Sequence, residues 1–413
     1  MMRLTQLKMT KFAPFADGEI SFPETKGTAG GAEVQMFTGE NGTGKTRVLA
    51  ALMASLGNLN ELQNRVRQDS GTELDVIGRI GDLEADEHDW DWSYGDGMGV
   101  TFPSYVEDTW ALAGSGMALL EDTKISANAA LKPARADESL ALSGPVGGSA
   151  ILQRLMNLRM GVALERDTSG TAPRRLTDCL LALEQAITAV TGQEFSLMIK
   201  PGREIKLMAQ WGGAELFFSE LPDGLRSLLN WLAGWVVLQV ENFEDSATPL
   251  DEPVILILDE PENHLHPAWQ RRVLPALQQL FKNAQLFVVT HSPFVVSSLN
   301  AGWIHKFTRG ANGMVNIEAP KKASRGDSYM TAMQEILDLA DWFDPETEQE
   351  IAEFEALLDA AYTQNGTSEA AMRQKAAKLA ERSQEVTNLV AGLVAQFDRT
   401  AAGKRPKTGD SAR

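Results

Sequence analysis

Eight consecutive residues, Gly39-Glu40-Asn41-Gly42-Thr43-Gly44-Lys45-Thr46, have the types and spacing to grip a phosphate chain. They match the pattern G-x-x-x-x-G-K-[ST]. Glycines let the backbone close tightly and turn several N–H groups toward one phosphate. Lys45 offers a point charge to the terminal phosphates, and the Thr46 hydroxyl is a hard oxygen ligand for Mg²⁺. Arg47 follows directly and joins the candidate binding residues. A second signal is Leu256-Ile257-Leu258-Asp259-Glu260, an apolar run ending in two acids. It would deliver Asp259 to the Mg²⁺ beside Thr46. Glu260, one residue on, could orient and polarise an attacking water. A third is His291, thirty-two residues past Asp259 in Phe287-Val288-Val289-Thr290-His291-Ser292. In an open parallel sheet, ligands sit at the C-terminal strand ends, so His291 could reach a terminal phosphate and sense its loss. The expected ligands are ATP and Mg²⁺, with Lys45, Glu260 and His291 as the catalytic candidates.

These residues need a sheet to hold them. Val34 to Phe37 reads as a strand before the glycine-rich turn, and Lys45 to Leu56 as a helix with Val48, Leu49, Leu52 and Leu56 on one stripe. Val254 to Leu258 is continuously apolar, as a parallel strand covered on both faces is. Helix Ala268–Phe281, strand Leu286–Val289 and helix Pro293–Leu299 continue the alternation, which argues for a mostly parallel sheet. Arg175 to Val190 is an amphipathic helix with Cys179 on its apolar face, so Cys179 is read as core. Strands are expected at 194–199, 204–208 and 214–217. Leu225 to Val240 reads as a buried helix. Residues 81–97, with seven acids and Trp90, Trp92 and Tyr94, read as a solvated acidic loop, with a docking surface for a basic partner as the alternative. Residues 111–150, rich in Ala, Gly and Ser, read as a mobile stretch. Beyond about 325 the chain reads as helical, with stripes at Ile351, Phe354, Leu357, Leu358, Ala361 and at Val386, Leu389, Val390, Leu393, Val394, Phe397. The end from Arg399 reads as a frayed basic tail.

Composition sets limits. The 413 residues are 43% hydrophobic and 23% charged, an ordinary globular mix that excludes collagen-like or wholly disordered chains. The net charge of −18 repels nucleic acid and anionic membrane at long range, so DNA contact would require a local basic patch. One cysteine cannot form an internal disulfide or a Cys-rich zinc site, and it fits a reducing compartment. The longest apolar run, Trp231 to Val240, is half of the ~20 residues a bilayer needs, and the N-terminus lacks a signal-peptide core. The expectation is a cytoplasmic protein with no membrane partner.

Gly39–Thr46, Asp259-Glu260-Pro261-Glu262-Asn263-His264-Leu265-His266-Pro267 and Thr290-His291-Ser292 together resemble ATP-binding-cassette ATPases of the SMC, RecF and OLD type. More narrowly, the chain is similar to compact bacterial AAA-family ATP-binding proteins. The opening Leu7 to Phe15 resembles that family's first strand and turn. The resemblance implies an α/β P-loop head: a mostly parallel sheet flanked by helices, an N-terminal antiparallel lobe, a helical insertion and a helical C-terminal region. The expected division is 1–60 (N-terminal lobe and phosphate loop), 61–204 (insertion), 205–320 (second half of the core) and 321–413 (helical region). It further implies a head-to-tail homodimer with ATP sandwiched between the phosphate loop of one copy and a signature segment of the other. That segment is Leu221-Pro222-Asp223-Gly224-Leu225-Arg226-Ser227, where Gly224 would allow close backbone approach to a γ-phosphate. Pro222 stands where the family has serine, and Ala13 where it has a basic residue. The glutamine that completes the family's Mg²⁺ shell is not assigned, since Gln63 lies too close to the phosphate loop.

Two functions stay open. One is action on double-stranded DNA in repair or antiviral defence, through Arg154, Arg159, Arg166, Arg174 and Arg175, or through Lys321, Lys322 and Arg325. The other is a nucleotide-gated module that holds or activates a protein effector such as a nuclease. Glu335, Asp338, Asp341 and Asp344 lack the D-x-D spacing of the nuclease fused to OLD-type ATPases. Glu262, His264 and His266 are read as a loop rather than a metal site, because histidines at i and i+2 do not share a helix face.

Overall fold

A computed structural model describes residues 2–25, 31–56, 62, 73–80, 88–94, 111–115, 148–168, 174–201, 205–323, 330, 332–337, 343–363 and 367–404. The chain divides into two compact units, Met1–Asp338 and Leu339–Arg413.

The first unit begins with β1 (Met2–Thr10), β2 (Gly18–Ser21), β3 (Glu33–Gly39) and α1 (Lys45–Ser55). Then come β4 (Glu73–Ile80), β5 (His88–Tyr94), β6 (Ala111–Ser115), α2 (Gly148–Thr168) and α3 (Arg175–Thr191). The small antiparallel sheet β7 (Phe195–Lys200), β8 (Lys206–Trp211) and β9 (Ala214–Leu216) leads into α4 (Asp223–Asn242). The second half is β10 (Val254–Asp259), α5 (Pro267–Leu280), β11 (Ala284–Val289), α6 (Pro293–Ser297), β12 (Trp303–Arg309), β13 (Val315–Ile317) and β14 (Lys321–Lys322).

The central sheet has the order β13-β12-β3-β11-β10-β6, with β14 also on β12. The five strands from β12 to β6 are parallel. Their register aligns Phe37 with Val289, Val289 with Asp259, and Asp259 with Ser115. Three chemistry-bearing strand ends therefore meet at one edge of the sheet. Every residue of β10 and β11 is buried, because both faces are covered. Successive side chains point to opposite faces. Ile255, Ile257, Phe287 and Val289 pack with α1 and the antiparallel sheet β2-β1-β4-β5. Leu256, Leu258, Leu286 and Val288 pack with α2 to α5. The first lobe is also tied to the core by a polar stitch, since the buried Gln285 amide accepts from Leu4 N and donates to Leu4 O, both at 2.9 Å.

Two expectations are corrected. Residues 88–94 are not loop but strand, and Trp90, Trp92 and Tyr94 stand opposite Gly78, Val76 and Leu74. Residues 111–115 are not part of a mobile stretch but pair in parallel with β10. Weak local preference is overridden there by a buried neighbour. The remainder of 111–150 up to 147 lies outside the described residues, as does Gln63.

The second unit is α7 (Pro345–Thr363), α8 (Thr367–Leu379) and α9 (Gln384–Lys404). Its core holds Ile351, Phe354, Leu358, Met372, Leu379, Val386, Val390 and Phe397. Leu389, expected on the packed stripe, is 40% exposed. The segment from Arg399 to Lys404 is the last part of α9 rather than a frayed tail, and residues beyond it lie outside the described ones.

Candidate active site

The phosphate loop closes because two of its glycines have no room for a side chain. A Cβ on Gly39 would fall on the Phe307 carbonyl, and one on Gly44 would lie 2.8 Å from the Phe15 ring and 3.0 Å from Pro14. Both residues also hold positive φ, at 142° and 84°. Lys45 is buried and donates to the carbonyls of Gly39 (3.0 Å) and Glu40 (2.7 Å) and to Thr43 Oγ1 (3.2 Å). Burial lowers its pKa to about 8, against the pull of Glu260, Asp259, Glu262 and Glu40. Arg47 donates to the Ala13 carbonyl at 2.6 Å, which brings a guanidinium to that turn. Pro14, Asn41, Gly42, Gly44, Lys45, Thr46, Arg47, Glu260 and His291 line one cleft of about 640 Å³.

The register of β10 places Asp259 beside α1, where Thr46 Oγ1 and Asp259 Oδ1 lie 3.5 Å apart. Both are hard oxygen donors of the type Mg²⁺ takes. Glu260 has φ +49°, a conformation that costs energy for a residue with a Cβ. Its N–H bonds the Val289 carbonyl (2.9 Å), and Asn263 Nδ2 donates to its Oε2 (2.8 Å). Asn263 therefore aims the carboxylate, a role the sequence reading did not assign. His291 is held below the usual imidazole pKa by burial and by Lys45, with Glu260 pulling the other way. The neutral ring is the form that faces the cleft near pH 7.

The loop after β10 carries a further carboxylate. Glu262 Oε1 accepts from the N–H groups of His291 (2.6 Å) and Ser292 (3.1 Å). Burial raises its pKa, the hydrogen bonds from His291 N–H and the Thr290 hydroxyl lower it, and Glu260 raises it. His266 is the N-cap of α5, with Nδ1 accepting from Ala268 N at 3.2 Å. His264 sits at φ +64° and turns its carbonyl toward Gly224. Among the described residues no three potential metal ligands cluster. Cys179 is buried, and burial pushes its thiol up to about 11.

Gly224 is not part of the cleft lining. It is buried near the start of α4, and a Cβ there would lie 2.5 Å from the His264 carbonyl oxygen and 3.3 Å from the Trp269 ring. Glycine is thus required by packing within one copy, in addition to any approach by a second. Gly224→Asp should lower folding stability by roughly 1–3 kcal/mol, read as a lower denaturant midpoint. An unchanged midpoint would show that the loop yields. Asp223, exposed on the adjacent position, is the better probe of contacts between copies.

Of the first basic cluster, three members are engaged within the chain, whereas Arg174 is exposed and the Arg166 side chain lies outside the described ones. Arg154 is 5% exposed and ion-paired with Glu241. Arg159 donates to the Leu197 carbonyl (3.0 Å), and Arg175 to those of Val240 (2.5 Å) and Phe243 (3.3 Å). These three cations brace α2, α3, α4 and β7 against one another. Lys321 and Lys322 are exposed on β14, while Arg325 lies outside the described residues.

A family model described as "AAA domain" matches residues 2–87, and one described as "AAA domain, putative AbiEii toxin, Type IV TA system" matches residues 212–297. These are the segments that carry the phosphate loop and the Asp259–His291 half of the cleft. In these two segments the chain is similar to AAA-domain ATPases. The chain is 36% identical over 138 residues to "Retron Ec83 probable ATPase" of Escherichia coli, covering 33% of this chain and 24% of that one. It is 22% identical over 190 residues to "Septu protein PtuA" of Bacillus thuringiensis, covering 44% and 46%. The chain thus spans under half the length of these relatives. An SMC head domain from Thermotoga maritima aligns with a TM-score of 0.40 and 15% identity over 77% of this chain and 98% of that one.

In this core the sign of one pH effect is set by Lys45. Phosphate binding requires the ammonium form, which dominates below about 8. Nucleotide affinity should be flat to pH 8 and then fall by up to about tenfold per unit. Titration of a fluorescent ATP analogue from pH 7 to 9.5 checks this; a flat profile would place Lys45 away from the phosphates.

Proposed function

We propose that this chain binds ATP with Mg²⁺ in the cleft at the sheet edge and hydrolyses it to ADP and phosphate. The observation that carries the reading is the convergence of Lys45, Thr46, Glu260 and His291 with Asp259 at one strand edge. In this reading the loop N–H groups and Lys45 hold the β- and γ-phosphates. Thr46 and Asp259 would hold Mg²⁺, which when bound neutralises phosphate charge. Glu260, fixed by Asn263, orients the attacking water, and neutral His291 contacts the γ-phosphate. Two copies would close head to tail, with the 221–227 segment of one facing the phosphate loop of the other. The setting is antiviral defence or DNA repair, as the SMC/RecF/OLD-type resemblance implies. The similarity to a retron ATPase and a Septu protein supports it.

Between the two modes of action, the internal engagement of Arg154, Arg159 and Arg175 favours a module that acts through a protein effector, such as a nuclease. The net charge of −18 points the same way. No helix among the described residues is long and apolar enough to cross a membrane. The test is the steady-state ATPase rate with and without linear duplex DNA at moderate salt, with Lys45→Ala as blank. A basal rate indifferent to DNA is expected. Stimulation that declines steeply with salt would restore the DNA reading, because counterion release gives phosphate contacts that signature.

A further inference from the structure

Glu262 does not line the phosphate cleft, yet it links the segments that do. Its Oε1 binds the backbone N–H groups of His291 and Ser292, at 2.6 and 3.1 Å. Ser292 Oγ and Gln270 Oε1 are 2.6 Å apart. Gln270 Nε2 then donates back to the carbonyls of Glu262 (3.2 Å) and Leu265 (2.9 Å). Hydrogen bonds thus run in a ring from the loop after β10, through the loop after β11 and α5, and back. The first loop holds Glu260 and His264 at positive φ, so it needs external restraint. It also abuts Gly224 through the His264 carbonyl.

Stability alone is a poor account of this carboxylate. Its Oε2 is buried and accepts no backbone N–H, the Thr290 hydroxyl being its one nearby donor among the described residues, and Glu260 is a like charge nearby. A half-satisfied buried acid costs free energy that an apolar residue would not.

We propose that Glu262 is a positioning residue that holds the Glu260 loop and the His291 loop in one geometry. Removing its two backbone contacts then lowers turnover without lowering nucleotide affinity. The inference rests on the ATPase reading above and adds a residue to it. Reach is the decisive property. Glutamine keeps an acceptor oxygen at the same distance from His291 N, whereas aspartate keeps the charge but falls short, and alanine removes both.

The experiment compares Glu262→Ala, Glu262→Asp and Glu262→Gln with the wild-type full chain. Readouts are kcat, KM, affinity for a fluorescent ATP analogue, melting temperature, and amide hydrogen exchange over residues 288–297. Glu262→Ala and Glu262→Asp should lower kcat about 10²-fold with KM and affinity unchanged, the scale of a small misplacement of reacting groups. The His291 and Ser292 amides should exchange faster in both. Glu262→Gln should restore the rate and the protection. Should alanine fail to fold, the aspartate–glutamine contrast decides. An unchanged kcat in Glu262→Asp, or an equal fall of all three variants, would overturn the proposal. If wild type is no faster than Lys45→Ala, the ATPase reading fails separately. The exchange data then judge the coupling: unchanged protection of His291 and Ser292 in Glu262→Asp rejects it.

Discussion

Lys45→Ala is expected to reduce ATP affinity roughly 10²–10³-fold, the loss of charge-assisted contacts to two phosphates. Two structural facts make the effect large. Lys45 Nζ also ties Gly39 O, Glu40 O and Thr43 Oγ1 together, so the loop loses an internal brace. The same ammonium faces Glu260, Asp259, Glu262 and Glu40, and without it the site presents uncompensated carboxylates to a triphosphate. Isothermal titration with ATP and Mg²⁺ measures the loss, with a melting curve to show that the fold survives. Undiminished affinity would remove the phosphate-loop assignment.

Glu260→Gln is expected to bind ATP as well as wild type and to hydrolyse it about 10²–10⁴-fold more slowly, the range of a lost general base or water-orienting group. The substitution is conservative where the structure is demanding. Glutamine can keep the acceptor for Asn263 Nδ2, and the backbone bond to Val289 O is untouched. Removing a charge beside the phosphates gives no reason for weaker binding. The expected signature is a fall in kcat at constant affinity, with an ATP-bound dimer accumulating on size-exclusion chromatography. Normal turnover would move the water-orienting role to another group. Accumulation of monomer alone, with ATP bound, would remove the head-to-tail closure.

The parts of the site that were legible beforehand are those written in consecutive residues. Gly39 to Thr46 needs only local backbone freedom and two side chains. Val254 to Asp259 announces a strand covered on both faces because every position is apolar until the acid. The parts that were not legible depend on partners far along the chain. Arg154 meets Glu241 and Arg175 meets Val240, and nothing local to these arginines distinguishes a brace from a surface cation. Trp90, Trp92 and Tyr94 do alternate with polar residues, a period-2 signal that the acidic composition masked. Ala111 to Ser115 has no such signal and is a strand because β10 offers it a ladder. Glu262 and Asn263 lie inside a motif that was read for its neighbours. Their roles follow from hydrogen bonds to His291 N and Glu260 Oε2.

The amino-acid sequence alone determined the α/β alternation and which residues are candidates to face a phosphate, because contiguous spacing and side-chain chemistry are local properties. Tertiary structure decided which strand ends share an edge, since parallel register is set by burial on both faces and not by any one segment. It also decided that Gly224 is required by its own copy, that three arginines are braces, and that the Glu262 carboxylate joins the loops after β10 and β11. Each of these depends on a partner carbonyl, carboxylate or amide that only the fold brings within hydrogen-bond reach.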